Sequence, residues 1–442
     1  MASSPARVPE RSRGLGLIAA LAALTPSGRA GVPVAWALYD FANTIYSYAV
    51  VSYAMGIWTV DRLGPADGQF WFGVANAVSV GLNAAISPVL GAISDRGGRR
   101  LPYLLFFTAM CVIGTTAIGL IPGGGGSSLA FLGLTLFAIA NFAYQAALIY
   151  YDSTLPTVSK PESRGRVSGI GVATGYLGTI LIALLILITG SGSQPLTFFM
   201  AAALFALFAA PIFLVVREQK ASDYRFRLAD ALGSWGQLAQ TIRDAGEGPG
   251  LRRFLVARFF YTDPVNTVIV VMSVFATQAI GLTSAQANIV LLMLTIVAVV
   301  ASFGWGFAVE RFGPKRTLMY VLASWCVGLV IAASVLALPT FLIAGALLGS
   351  GLGGVWTAAR VFMLRLSPPD KLGEFFGLYG LAGKFSAVTG PVLYGIIVST
   401  LLDAGWGKGA YQMGILSFLI LMLIGFGLLR TVPDRLSEPA AQ

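Results

Sequence analysis

Twelve long runs of apolar residues follow one another along this chain, and few folds can hold them. They centre on residues 34–60, 69–93, 101–121, 128–153, 166–190 and 196–216, and then on 254–278, 286–309, 317–338, 340–364, 374–402 and 409–430. A helix needs roughly 20 apolar residues to cross a hydrocarbon core. Runs this long and continuous do not suit barrel strands, and an open sheet cannot satisfy its backbone groups in lipid. The expectation is an all-α membrane protein with twelve transmembrane helices. Composition agrees, because only 11% of the residues are charged, against roughly 25% in an ordinary soluble domain. So few charges would leave most of a soluble surface without polar cover.

The net charge of +10 raises nucleic-acid binding, but placement speaks against it. Basic residues fall in short clusters between apolar runs, not along one face or motif. With both termini inside, one side receives Arg7, Arg11, Arg13, Arg29, Arg96, Arg99, Arg100, Lys160, Arg164, Arg166, Arg311, Lys315, Arg316, Arg365, Lys371, Arg430 and Arg435. The other side receives only Arg62 and Lys408. That asymmetry orients the chain with both termini cytoplasmic. Residues 1–33 read as a cytoplasmic extension. Its apolar stretch 15–24 resembles a signal-peptide core but is too short to span. Residues 34–217 form a first six-helix bundle and 252–430 a second. Residues 218–251 are a basic cytoplasmic linker with a surface amphipathic helix expected around 228–242, and 431–442 are a tail.

The two bundles are related. Gly91, Asp95, Arg96, Gly98 and Arg100 recur as Gly306, Glu310, Arg311, Gly313 and Lys315 at an offset of 215 residues. Each copy follows the second helix of its half, where glycine permits a tight turn, an acid ends the helix and bases fill the turn. Asp40 and Asn43 in the first helix are echoed by Asp263 and Asn266 in the seventh. Gly165, Gly169 and Gly175 match Gly373, Gly377 and Gly383 at an offset of 208. Repeated halves with a site at their interface are a transporter architecture.

The paired turn motif resembles the signature of the major facilitator superfamily, and two pseudo-symmetric six-helix bundles are the fold that resemblance implies. It also implies that Asp95, Arg96, Glu310 and Arg311 act with their motif neighbours as a conformational latch between the halves. A narrower resemblance rests on Trp36-Ala-Leu-Tyr-Asp40-Phe-Ala-Asn43, Asn141-Phe-Ala-Tyr144-Gln145, Gly165-Arg-Val-Ser-Gly169, Gly175-Tyr-Leu-Gly178, Gly373-Glu-Phe-Phe-Gly377 and Gly383-Lys384-Phe. These stretches are similar to the vacuole amino-acid effluxer-like (autophagy-related) family. The chain reads Tyr-Asp-Phe where that family commonly has Tyr-Asp-Trp. The resemblance implies that eukaryotic members export amino acids such as leucine, isoleucine and tyrosine from the vacuole, while many bacterial members have no established substrate; the expected place of this chain is the bacterial inner membrane.

Ionisable groups inside spans are expensive and mark functional positions. Lys384 lies eleven residues past Gly373, about 16 Å along a helix and so near the midplane of a ~30 Å core. Its repeat partner is the uncharged Tyr176, which suggests a role beyond symmetric packing. Asp40, Asn43, Asp263, Asn266, Lys384, Tyr176, Asn141 and Gln145 are candidates for substrate or coupling-ion contact. Arg258, Arg360, Asp152 and Glu374 are candidates for a gate of ion pairs. Two readings of the paired acids stay open: contact with an amino group or a coupling proton or sodium ion, and a gate closed by the arginines and Lys384.

Other chemistry finds little support. The chain has no histidine, and Cys111 and Cys326 show neither metal spacing nor a disulfide framework. Gly349-Ser-Gly351-Leu-Gly353-Gly354 spells a dinucleotide-type pattern but lies inside an apolar span, without the strand and helix such a site needs. No cofactor, metal or enzymatic activity is expected. The expected protein is a monomeric secondary transporter that moves a small solute through the bilayer by alternating access. A lipid or lysolipid flippase of the same fold, and a non-transporting receptor or scaffold, are the alternatives.

Overall fold

The computed structural model describes residues 10–123, 126–190, 194–218, 249–334 and 336–434, and they are almost entirely helical. The expected linker helix at 228–242, most of the linker and the end of the tail lie outside the described residues. A short helix, Glu10–Ala23, precedes the bundles. The first bundle comprises α1 (Gly31–Tyr46, continuing through a π-helical stretch Ser47–Ala54 into Met55–Leu63), α2 (Pro65–Gly97), α3 (Leu101–Gly119), α4 (Ser127–Ser153), α5 (Arg164–Thr189) and α6 (Gln194–Val215). The second comprises α7 (Pro249–Val274, with a π-helical stretch Phe275–Ile280), α8 (Ser284–Phe312), α9 (Pro314–Ser334), α10 (Leu338–Leu366), α11 (Leu372–Asp403) and α12 (Gly409–Arg430). Helix α7 starts ahead of residue 252, because Pro249 suits a first helical turn, where no backbone N–H is needed.

Ten of these helices are long and apolar enough to cross a membrane. The other two are the first of each half. The π-helical stretch divides α1, and α7 carries Arg252, Arg253, Arg258 and Asp263 ahead of Pro264. Ile113, Leu187, Ile188, Leu214 and Val300 stand exposed on the outside of the bundle, as expected where the solvent is hydrocarbon rather than water.

The packing repeats with the sequence. In the first half α1 packs on α5 and α6, α2 on α4, and α3 on α4 and α6. In the second, α7 packs on α11 and α12, α8 on α10, and α9 on α10 and α12. The halves meet where α2 lies against α11 and α5 against α8, with a smaller contact between α5 and α10. Both motif turns use glycine in the left-handed region, Gly98 at φ 62° and Gly313 at φ 83°, which other residues adopt only with strain.

Small residues let the halves approach backbone to backbone. A Cβ on Gly169 would lie 2.6 Å from Ser302 O, and one on Gly377 2.6 Å from Pro88 Cα. In lipid such close packing supplies the association that water would otherwise drive. Ser87 Oγ donates to Gly377 O across this seam at 3.1 Å, and Ser168 Oγ donates to Thr357 O at 3.1 Å. The chain that leaves α6 closes back on the first motif turn: Glu218 accepts the N–H groups of Arg100 and Leu101, each at 2.8 Å. A carboxylate is favoured there by the positive end of α3.

Gly377→Leu is expected to overpack the seam and destabilise the protein by about 1–3 kcal/mol. The check is thermal unfolding of the purified protein in detergent, with a wild-type midpoint counting against the close approach.

Candidate functional site

A cavity of about 560 Å³, lined by charged, polar and apolar side chains, lies between the two halves. Its wall includes Asp40, Asn43, Gln145, Asp152, Tyr176, Arg258, Asn266, Arg360 and Lys384, so it gathers nine of the twelve residues named as substrate or gate candidates. Three lie off it. Asn141 turns its amide to Asn76 Oδ1 at 3.0 Å and Ser79 Oγ at 2.7 Å. Glu374 is buried at the start of α11, where its N–H bonds Asp95. Asp263 is buried against α11 rather than in the cavity wall.

One arginine organises the first-half wall. Arg360 of α10 is 3.0 Å from Asp152 of α4 and 3.5 Å from Asp40 of α1. It therefore ties the second half to two helices of the first. Trp36 and Tyr151 stack at 4.5 Å, and Tyr39 joins them at 5.0 Å from Tyr151. The guanidinium lies 5.2 Å from the Trp36 ring and 5.4 Å from the Tyr151 ring, positions in which π faces favour a cation. Trp36 donates to Thr154 Oγ1 at 3.1 Å, and Tyr151 donates to Trp36 O at 3.2 Å, so the aromatic wall is fixed. Gly171 makes the room: a Cβ there would lie 2.6 Å from Trp36 and 3.1 Å from Asp40 Oδ2. With two carboxylates to one guanidinium, this cluster carries a formal charge of −1.

Two further cations share the cavity wall. Arg258 of α7 donates from Nε to Tyr379 O at 3.1 Å and lies over the Tyr379 ring at 3.4 Å. It is 3% exposed, and its Nη1 has no hydrogen-bond partner among the described residues. Lys384 of α11 donates to Asn83 Oδ1 of α2. Its contact is thus a neutral amide, not Asp40 or Asp263. Neither group forms a direct ion pair among the described residues, and Asp152 interacts with both through space.

The basic side of the cavity is closed by two equivalent contacts. Asp95 accepts the N–H groups of Gly373 and Glu374 at 2.8 and 2.9 Å, at the start of α11, and pairs with Arg100 at 2.9 Å. Glu310 accepts the N–H of Arg166 at 3.1 Å, at the start of α5, and pairs with its side chain at 2.7 Å. Each motif acid thereby crosses the seam and caps a helix of the other half. The basic partners are Arg100 and Arg166, while Arg311 lies by the ring of Phe312. Asn76, Asn83, Trp356, Tyr379 and Arg166 were not singled out from sequence. The two asparagines did carry a signal, since amides seven residues apart in an apolar span share one helix face.

A family model described as "Vacuole effluxer Atg22 like" matches residues 72–442. An uncharacterised MFS-type transporter of Bacillus subtilis, YxiO, is 28% identical over 424 residues, covering 92% of this chain and 96% of that protein. The fold matches the crystal structure of the human organic anion transporter MFSD10 with a TM-score of 0.67 at 17% identity, covering 96% of this chain and 100% of that one. It also matches a bacterial homologue of the iron transporter ferroportin in its outward-facing state, with a TM-score of 0.70 at 12% identity, covering 92% and 99%. These are major facilitator folds, as the paired turn motif implied.

Arg360→Ala leaves two buried carboxylates without their cation, an expected loss of about 3–5 kcal/mol. Adding Asp40→Asn and Asp152→Asn to that variant should restore much of it. Thermal unfolding of the two proteins decides, and equal midpoints would remove the ion pairs from the stability of the fold.

Proposed function

The chain belongs to the vacuole effluxer Atg22-like family, and from that premise we propose that it transports an amino acid by alternating access. The observation that carries this reading is a cavity that gathers acids and bases together. A zwitterion presents a carboxylate and an ammonium a few ångströms apart. Arg258 and Lys384 offer charge-assisted bonds to the carboxylate, and the net-negative cluster of Asp40, Asp152 and Arg360 receives the ammonium. Asn43, Gln145, Tyr176 and Asn266 add neutral hydrogen-bonding groups around them. Val51, Val80, Leu148 and Ile269, also in the wall, suit an apolar side chain.

In this reading the basic side is cytoplasmic, as the charge asymmetry favours. The two motif acids then hold the cytoplasmic ends together, and the cavity belongs to the outward-facing half of the cycle. Asp95 and Glu310 act as the latch. They bond backbone N–H groups at helix starts, so one rocking motion breaks or makes both contacts together.

Exchange of radiolabelled leucine in proteoliposomes tests the site. Lys384→Gln should lower transport efficiency by roughly 10–100-fold, the worth of one charged hydrogen bond. An amine of the same shape without the carboxylate should compete poorly in the wild type. Equal competition by that amine would sink the zwitterion reading. The latch is tested separately: Asp95→Asn with Glu310→Gln should raise labelling of a cysteine placed at Ser87 by a membrane-impermeant reagent applied from the basic side. Unchanged labelling removes the acids from closure.

A further inference from the structure

Asp40 and Asp263 hold the same place in a repeated sequence pattern, yet only one is neutralised. Asp40 has Arg360 at 3.5 Å. Asp263 is 1% exposed and has no ion pair among the described residues. Its Oδ1 accepts the Gly390 N–H at 2.8 Å, and its Oδ2 has no hydrogen-bond partner among them. The Thr267 hydroxyl, which donates to Asp263 O at 2.8 Å, and Oδ2 both crowd the space left by the missing side chain of Gly390.

Among the described residues, no charged or titratable side chain on the elements packed against α7 bonds or pairs with Asp263. On α7 itself Arg258 bonds and stacks on Tyr379 of α11, and Tyr261 is an uncharged buried phenol. On α11, Lys384 bonds Asn83, Tyr394 stacks on Phe418 of α12, and Glu374 and Asp403 stand at the two ends of the helix. On α10, Arg360 holds Asp40 and Asp152, and Arg365 meets Asp434. On α8, Glu310 holds Arg166 and Arg311 lies by Phe312. On α12, Tyr411 stands near the start and Arg430 at the basic end. A buried carboxylate without a counter-ion is disfavoured, whereas its protonated form needs only a hydrogen-bond acceptor. No group of three or more His, Cys, Asp or Glu side chains suited to a metal ion occurs among the described residues. Asn266, one turn further along α7, reaches the cavity wall and bonds Gly383 O of α11 at 3.5 Å. The α7–α11 contact that seals Asp263 therefore continues directly into the solute cavity.

We propose that Asp263 is the site at which the protein takes up and releases a proton during its cycle, coupling solute movement to proton movement, while Asp40 keeps its ion pair with Arg360. The proton binds Oδ2 while α7 and α11 are packed as here, and it leaves when their contact opens to water. No other bond is made or broken. The coupling half of this inference rests on the transport reading above; the protonation half does not.

Infrared difference spectroscopy of the full chain in lipid, acid minus alkaline buffer, reads the protonation directly. The wild type and Asp40→Asn should show a carboxylic-acid carbonyl band that shifts in heavy water. Asp263→Asn should lose it, and Asp263→Glu should move it. A band that persists in Asp263→Asn, or that answers to sodium rather than to pH, overturns the assignment. With leucine as the probe in proteoliposomes, Asp263→Asn should lose accumulation driven by a pH gradient by at least about tenfold, with leucine exchange at equal pH kept within about twofold. Asp263→Glu should keep both. Loss of exchange together with accumulation in both variants overturns coupling through this residue. If the wild type moves no leucine, the amino-acid reading fails, and the infrared result still decides Asp263.

Discussion

Arg360 is the group on which the arrangement of the two halves depends. A guanidinium buried in a low-dielectric bundle must be paired, and its partners Asp40 and Asp152 belong to the other half. The pairing therefore does two things at once. It makes three charges tolerable inside the membrane region, and it registers α10 against α1 and α4. The rings of Trp36 and Tyr151 and the gap at Gly171 serve this pairing, because they leave the guanidinium one place to sit. The resulting cluster has two carboxylates to one guanidinium, and Asp152 also attracts Arg258 and Lys384 through space.

Around this centre the two halves repeat in packing but not in charge. The motif acids Asp95 and Glu310 do equivalent work at the starts of α11 and α5. The glycines of α5 and α11 meet equivalent backbone of α8 and α2. Symmetry of this kind gives a hinge two matching contacts that open together. The inner residues depart from it: Lys384 stands where the other half has Tyr176, and Asp263 lacks the arginine that Asp40 has. A symmetric frame can rock, and an asymmetric lining gives the motion something to recognise.

Much of this was legible from residue types alone. Gly98 and Gly313 had to be glycine because each motif turn needs a left-handed backbone, and they mark the turns in sequence. The acid of each motif was visible as a helix end. What it bonds was not, since its partners are backbone N–H groups some 140 to 280 residues away. Arg166 looked like one base in a topogenic cluster until α5 was seen beside α8. Asn141 and Gln145 read alike from sequence, yet one faces Asn76 and Ser79 and the other the cavity.

The residue pattern requires a bundle of membrane helices in two related halves, because hydrocarbon demands long apolar helices and a duplicated turn demands the same residues twice. It also determined which ionisable groups are buried, since their spans leave them nowhere else to go. Which of those charges neutralise one another is set by how the helices pack in three dimensions. Pairing energies depend on a few ångströms between side chains of different helices, and no local pattern encodes that distance. Asp40 and Asp263 sit in matching sequence positions, but one meets an arginine and the other a backbone N–H.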